Sequence, residues 1–110
     1  MTSEMLIVTI GGRRCAVPME SVIEVRVHEG ATRIPGAPAW VCGVTERHGA
    51  PVHVVDAARR LELGALTPDE RNCLVFVDRG ALLVDGVDGI VEGAGGAVLV
   101  DVDEVFGGVA

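Results

Sequence analysis

The chain is made of short runs of β-branched and aliphatic residues, each stopped by a glycine, a proline or an acidic turn before it reaches helical length. Residues 5–10 (Met-Leu-Ile-Val-Thr-Ile), 73–77 (Cys-Leu-Val-Phe-Val), 81–84 (Ala-Leu-Leu-Val) and 97–100 (Ala-Val-Leu-Val) are of this kind. A β-branched side chain is stiff at χ1 and packs well on a pleated surface. The aromatic residues are only Trp40, Phe76 and Phe106, so the core must be built from Val, Leu, Ile and Ala. Short strands with turn signals at this spacing predict an all-β barrel or sandwich. At 110 residues there is room for one domain, residues 1–110, and a chain of that size buries roughly two thirds of its unfolded surface.

In order, the sequence predicts a hairpin over residues 5–17 turning at Gly11-Gly12, then one helical turn over 18–22 begun by Pro18. Residues 23–28 alternate strictly between apolar and charged, which predicts a strand with one face in the core and one in water. Residues 29–38 are a loop by their glycines and prolines. A second hairpin has apolar arms at 40–44 and 52–55 and a wet tip carrying Glu46, Arg47 and His48, closed by Gly49, where a positive φ is needed. Asp56 is placed to cap a helix over 57–63 that Gly64 ends. A polar connection over 67–71, strands at 73–77, 81–84, 87–91 and 97–100, and a helical turn over 103–106 complete the chain. A weak echo links residues 52–56 with Leu61 to residues 97–101 with Phe106: strand, acidic cap, apolar anchor. A repeated unit and the ordinary look of a strand-to-helix junction explain it equally well.

Composition excludes several functions. A net charge of −7, with nine Lys and Arg in no run longer than two, lacks the basic face that phosphate-backbone binding requires, so nucleic acid is not expected as a partner. Cys15, Cys42 and Cys73 are odd in number and lie in apolar runs, which reads as three reduced, buried small hydrophobes. The N-terminus has no basic leader region and its apolar run is too short for a signal or a span, so a cytoplasmic protein without membrane insertion is expected.

No catalytic constellation stands out. Asp85 with Asp88, and Asp101 with Asp103 and Glu104, lie at turns or strand ends without calcium-loop spacing. His28, His48 and His53 have no partner at zinc-like spacing. The glycines of 93–96 lack the Lys-Ser/Thr ending of a phosphate loop, and Ser3 and Ser21 lack nucleophile-elbow glycines. What remains for function is the exposed tip, with His48 at its end, and apolar surface at Val22 and Val87, which sit among polar neighbours.

Taken together, residues 5–11 with 15–18, 22–25, 32–35 with Ala37-Pro38, Gly43-Val44, Gly49, 54–56, 83–87, and 98–101 with Val105-Phe106 resemble the CheW family, the coupling proteins of bacterial chemosensory arrays. The resemblance implies a CheW-like fold of two small SH3-like barrels around a common core with short helical turns, no catalysis and no cofactor. It also implies partners: a methyl-accepting chemoreceptor cytoplasmic domain, a CheA-type histidine kinase, or another CheW. Two departures stand against the family pattern. The usual Asn-Leu-Arg-Gly loop is Glu46-Arg47-His48-Gly49 here, moving the tip arginine by one position, and only residues 92–96 span a region that is substantially longer in relatives. One barrel should therefore be shortened. The resulting expectation is an accessory adaptor, similar to the CheW-like subunit of a gliding-motility chemosensory system, that binds receptor tips in a groove lined by Val22, Glu24, His48 and Val87 and binds the kinase weakly or not at all. A full coupler of receptor and kinase is the alternative, and a small-ligand or metal-binding barrel the remote one.

Overall fold

The computed structural model describes residues 3–66 and 69–107. Thr67 and Pro68, the first two residues of the polar connection, lie outside them. Among the described residues nine strands run in the order β1 (Glu4–Ile10), β2 (Arg13–Pro18), β3 (Val22–Val27), β4 (Val41–Arg47), β5 (Ala50–Asp56), β6 (Cys73–Val77), β7 (Gly80–Val84), β8 (Gly86–Glu92) and β9 (Val98–Leu99). Two four-residue helices, α1 (Ala57–Arg60) and α2 (Val102–Val105), follow β5 and β9. The strands form a four-stranded sheet, β8-β1-β2-β9, and a five-stranded one, β3-β6-β7-β5-β4. The fold is all-β, as the runs of aliphatics require.

Alternation along the strands builds two cores. Leu6, Val8, Ile10, Cys15 and Val17 of one sheet meet Val55, Val75, Val77, Leu82 and Val84 of the other in a central cluster completed by Ala57, Ala58, Val100, Val105 and Phe106. The opposite faces of β6, β7 and β5 place Leu74, Phe76, Ala81, Leu83 and Val54 in a smaller cluster inside the curl of the five-stranded sheet. One position in sequence thus decides which core a side chain enters.

The echo at the two strand-to-helix junctions is a repeat of topology. In both sheets an antiparallel pair is flanked by an antiparallel strand on one side and a parallel strand on the other. Leu99 pairs with Ala16 as Val54 pairs with Ala81. Asp56 caps α1 by accepting from the Arg59 N–H, and Asp101 caps α2 by accepting from the Asp103 and Glu104 N–H groups. Arg60 on α1 then donates from Nε to the Val105 carbonyl and from Nη2 to the Glu104 carbonyl, at 3.0 and 2.8 Å, and lies 4.9 Å from the Trp40 ring centre. A side chain of one half satisfies the open carbonyls of the other half's helix.

Some boundaries differ from expectation. Helix α1 stops at Arg60 because Glu62 takes a positive φ of 55° before Gly64 is reached. The second hairpin is longer than its apolar arms: β4 and β5 run to a two-residue turn in which His48 and Gly49 have φ of 51° and 81°, the paired left-handed geometry that matches strand twist. The shortening falls on the four-stranded sheet, which has no counterpart of β4 among the described residues. Phe106 is fully buried at the centre and sits where a Cβ on Gly80 would come within 2.5 Å of its ring. Phe106→Ala should cost about 3–5 kcal/mol of stability, read as a lowered urea midpoint with the slope unchanged.

Candidate functional site

β3 is an edge strand with two different faces. Glu24 and Arg26 stand opposite Phe76 and Leu74 of β6 and so lie on the side of the small core, where they close the curl of the sheet onto its other edge. Arg26 Nε meets Glu24 Oε2 at 2.7 Å, Arg47 Nε of β4 donates to Glu24 Oε1 at 3.0 Å, and Arg26 Nη2 donates to the Glu46 carbonyl at 3.4 Å. The Arg26 guanidinium also covers the Phe76 ring at 4.3 Å from its centre. Edge strands at opposite ends of the sheet are therefore joined by side chains rather than by a backbone ladder.

The other face of β3 is apolar and open. Ile23, Val25 and Val27 are 49 %, 39 % and 61 % exposed. Strict alternation led to the expectation that this face is core, but β3 is outermost in its sheet, and the central cluster ends at Val22. The stripe follows the seam between the sheets. Val27 shares a shallow hollow with Val87, Thr9 and Cys73, and Ile23 shares one with Leu99, Pro18 and Arg79.

The residues singled out from the sequence fall into three places. Val22 and Val87 are half-buried against the central core, on equivalent strands: Val22 pairs with Val77 and Val87 with Val8. Glu24, Glu46 and Arg47 belong to the charged clasp. His48 and Gly49 form the exposed turn. Of those residues, Val87 shares its hollow with Val27, and Glu24 is bonded to Arg26 and Arg47. The position of β3 at a sheet edge, not its pattern, marks the apolar stripe. Arg47 is also not a free tip group, because the strand extends through it and Glu24 holds it.

Only Cys15 of the three thiols is buried, whereas Cys42 and Cys73 are half-buried, a correction to the reading of all three as core. Burial raises each thiol's pKa, that of Cys42 to about 11 with Asp56 adding to the effect. A thiol held protonated is a weak nucleophile. Among the described residues no three His, Cys, Asp or Glu side chains gather as a metal site, and no helix is long and apolar enough to cross a membrane.

The sequence profile of the CheW-like domain matches residues 4–106. The chemotaxis protein CheW of Rhizobium meliloti (strain 1021) is 33 % identical over 92 residues, covering 80 % of this chain and 59 % of that protein. The chemotaxis protein CheW of Klebsiella aerogenes is 27 % identical over 92 residues, covering 80 % and 55 %. The chain thus spans less than two thirds of the length of these relatives. Among solved structures, the scaffolding protein TtCheW from Thermoanaerobacter tengcongensis superposes with a TM-score of 0.79 at 19 % identity, over 86 % of this chain and 68 % of that one, a likeness of fold.

Two measurements check this geometry. The Glu24 and Arg47 side chains are about a third exposed, so a double-mutant cycle with Glu24→Gln and Arg47→Met should give a coupling of only about 0.5–1 kcal/mol, smaller at high salt. For Cys42 the folded-state pKa, about 11, lies above the ordinary thiol value of 9.0, so between pH 9 and 11 the unfolded chain holds fewer protons than the folded one. Stability is then full below pH 9 and falls as pH rises through that window. Thermal melts from pH 8 to 11 should show the fall, and Cys42→Ala should make it shallower, with Cys15 and Cys73 supplying the remainder.

Proposed function

This chain belongs to the CheW-like domain family, and from that footing we propose that it is a non-enzymatic chemosensory adaptor that docks the helical tip of a methyl-accepting receptor along the seam between its two sheets. The observation that carries the reading is the aliphatic stripe Ile23, Val25 and Val27, open to solvent on a rigid edge strand and continued by the half-buried Val87. A row of aliphatic groups at strand spacing, bordered by Arg71 and Asp88 beside Val27 and by Asp78 and Arg79 beside Ile23, suits the apolar face of a helix, with the polar rim fixing orientation. Such a contact needs no catalytic group, and its affinity should depend weakly on salt because its centre carries no charge.

The same reading gives the chain a weak grip, or none, on a CheA-type kinase. Two features support it: Arg47, nearest to the family's tip arginine, is engaged by Glu24, and the four-stranded sheet offers a smaller surface than its five-stranded counterpart. His48 is what the turn presents instead.

Titration calorimetry against a receptor cytoplasmic domain should give a saturable complex. Val27→Asp should weaken it at least tenfold, about 1.4 kcal/mol, with little change in melting temperature, since Val27 is 61 % exposed. No binding at high micromolar concentration overturns the proposal. Sedimentation with a kinase regulatory domain should show no complex where the receptor is saturated; a tight complex would make the chain a full coupler.

A further inference from the structure

The two halves of the fold differ by one strand, and the position it leaves is specific. In the five-stranded sheet, β4 lies antiparallel along the outer edge of β5, with Gly43 opposite Val54. In the four-stranded sheet the equivalent edge belongs to β9, which has no outer neighbour among the described residues. Exposure follows. Val54 is fully buried, whereas Leu99, its counterpart by pairing to Ala16, is 59 % exposed and its neighbour Val98 is 40 % exposed. Length follows too: β5 runs seven residues and β9 two. The edge is also aligned for pairing. The Val100 N–H donates inward to the Ala16 carbonyl, so the N–H and C=O of Leu99, one residue earlier on an extended chain, point outward.

We propose that β9 is a self-pairing edge: two copies of this chain associate through β9 laid antiparallel on the partner's β9, about a two-fold axis at Leu99. A two-fold contact requires one segment to complement itself, and residues 97–101 do so. With Leu99 facing the partner's Leu99, two main-chain hydrogen bonds form reciprocally, because both residues turn their polar groups outward. Val98 then faces the partner's Val100, and Ala97 faces the partner's Asp101, so no acid opposes an acid and aliphatic pairs meet at the centre. The orientation is the one β4 adopts on β5. The exposed edge of β8 is less suited: pairing with its own copy about Ile90, its most exposed aliphatic, would set Asp88 against Glu92. Each copy carries a net charge of −7, so the contact is weak at low ionic strength and tightens with salt, which screens the mutual repulsion.

Sedimentation equilibrium of the 110-residue chain, from about 10 µM to about 1 mM, should show a reversible monomer–dimer transition that shifts several-fold toward dimer when NaCl is raised. Leu99→Lys puts a charge on an already exposed side chain and should abolish the dimer with an unchanged melting curve; Ile90→Lys should leave it intact. In the unmodified chain, exchange protection of the Leu99 amide should rise with protein concentration, a readout that needs no variant. A chain that stays monomeric throughout overturns the proposal and leaves the edge to an extended segment of another protein. A dimer that survives Leu99→Lys, or is lost only in Ile90→Lys, overturns it as well.

Discussion

The contact on which the structure depends is the shared apolar seam between the two sheets. Aliphatic residues from β1 and β2, with Val100 just after β9, meet those from β5, β6 and β7, and Phe106 is buried among them. Neither sheet has enough large side chains to bury a face alone, since the aromatic content is 3 %, and valine provides area only in numbers. Each sheet is therefore the other's hydrophobic cover. The charged clasp is subordinate to this. It is too exposed to contribute much energy, and it acts by setting how far the five-stranded sheet curls.

Much of that seam was legible in the sequence because strand alternation is a local property. The runs at 5–10, 73–77 and 81–84 and the Gly11-Gly12 turn place their side chains without reference to anything distant, as do the acidic caps Asp56 and Asp101. What depends on neighbours was not legible. Residues 22–27 have the same alternation as a half-buried strand, yet Ile23, Val25 and Val27 face water because β3 ends its sheet. Periodicity separates two faces but does not say which is covered. Arg47 shows the same limit: its partner Glu24 is 23 residues away in sequence, and only the curl of the sheet brings them together.

The internal repeat makes the molecule its own control. Equivalent strands in the two halves have the same order and directions, and equivalent valines, Val22 and Val87, are both partly buried against the central core. Where the halves diverge, the cause can be read directly. Glu24 faces Phe76 in one half, and Gly89 faces Ile7 in the other, so the half that lacks a fifth strand also lacks the acid that would clasp one. Loss of the strand and loss of the clasp go together.

The guanidinium of Arg60, seated on the indole of Trp40 while it grips the final carbonyls of α2, gives the molecule an optical gauge. As the sole indole in the chain, Trp40 reports through its emission on this one junction. A shift in fluorescence would mean that the far end of the polypeptide has come unstitched from its middle, whatever else has stayed in place.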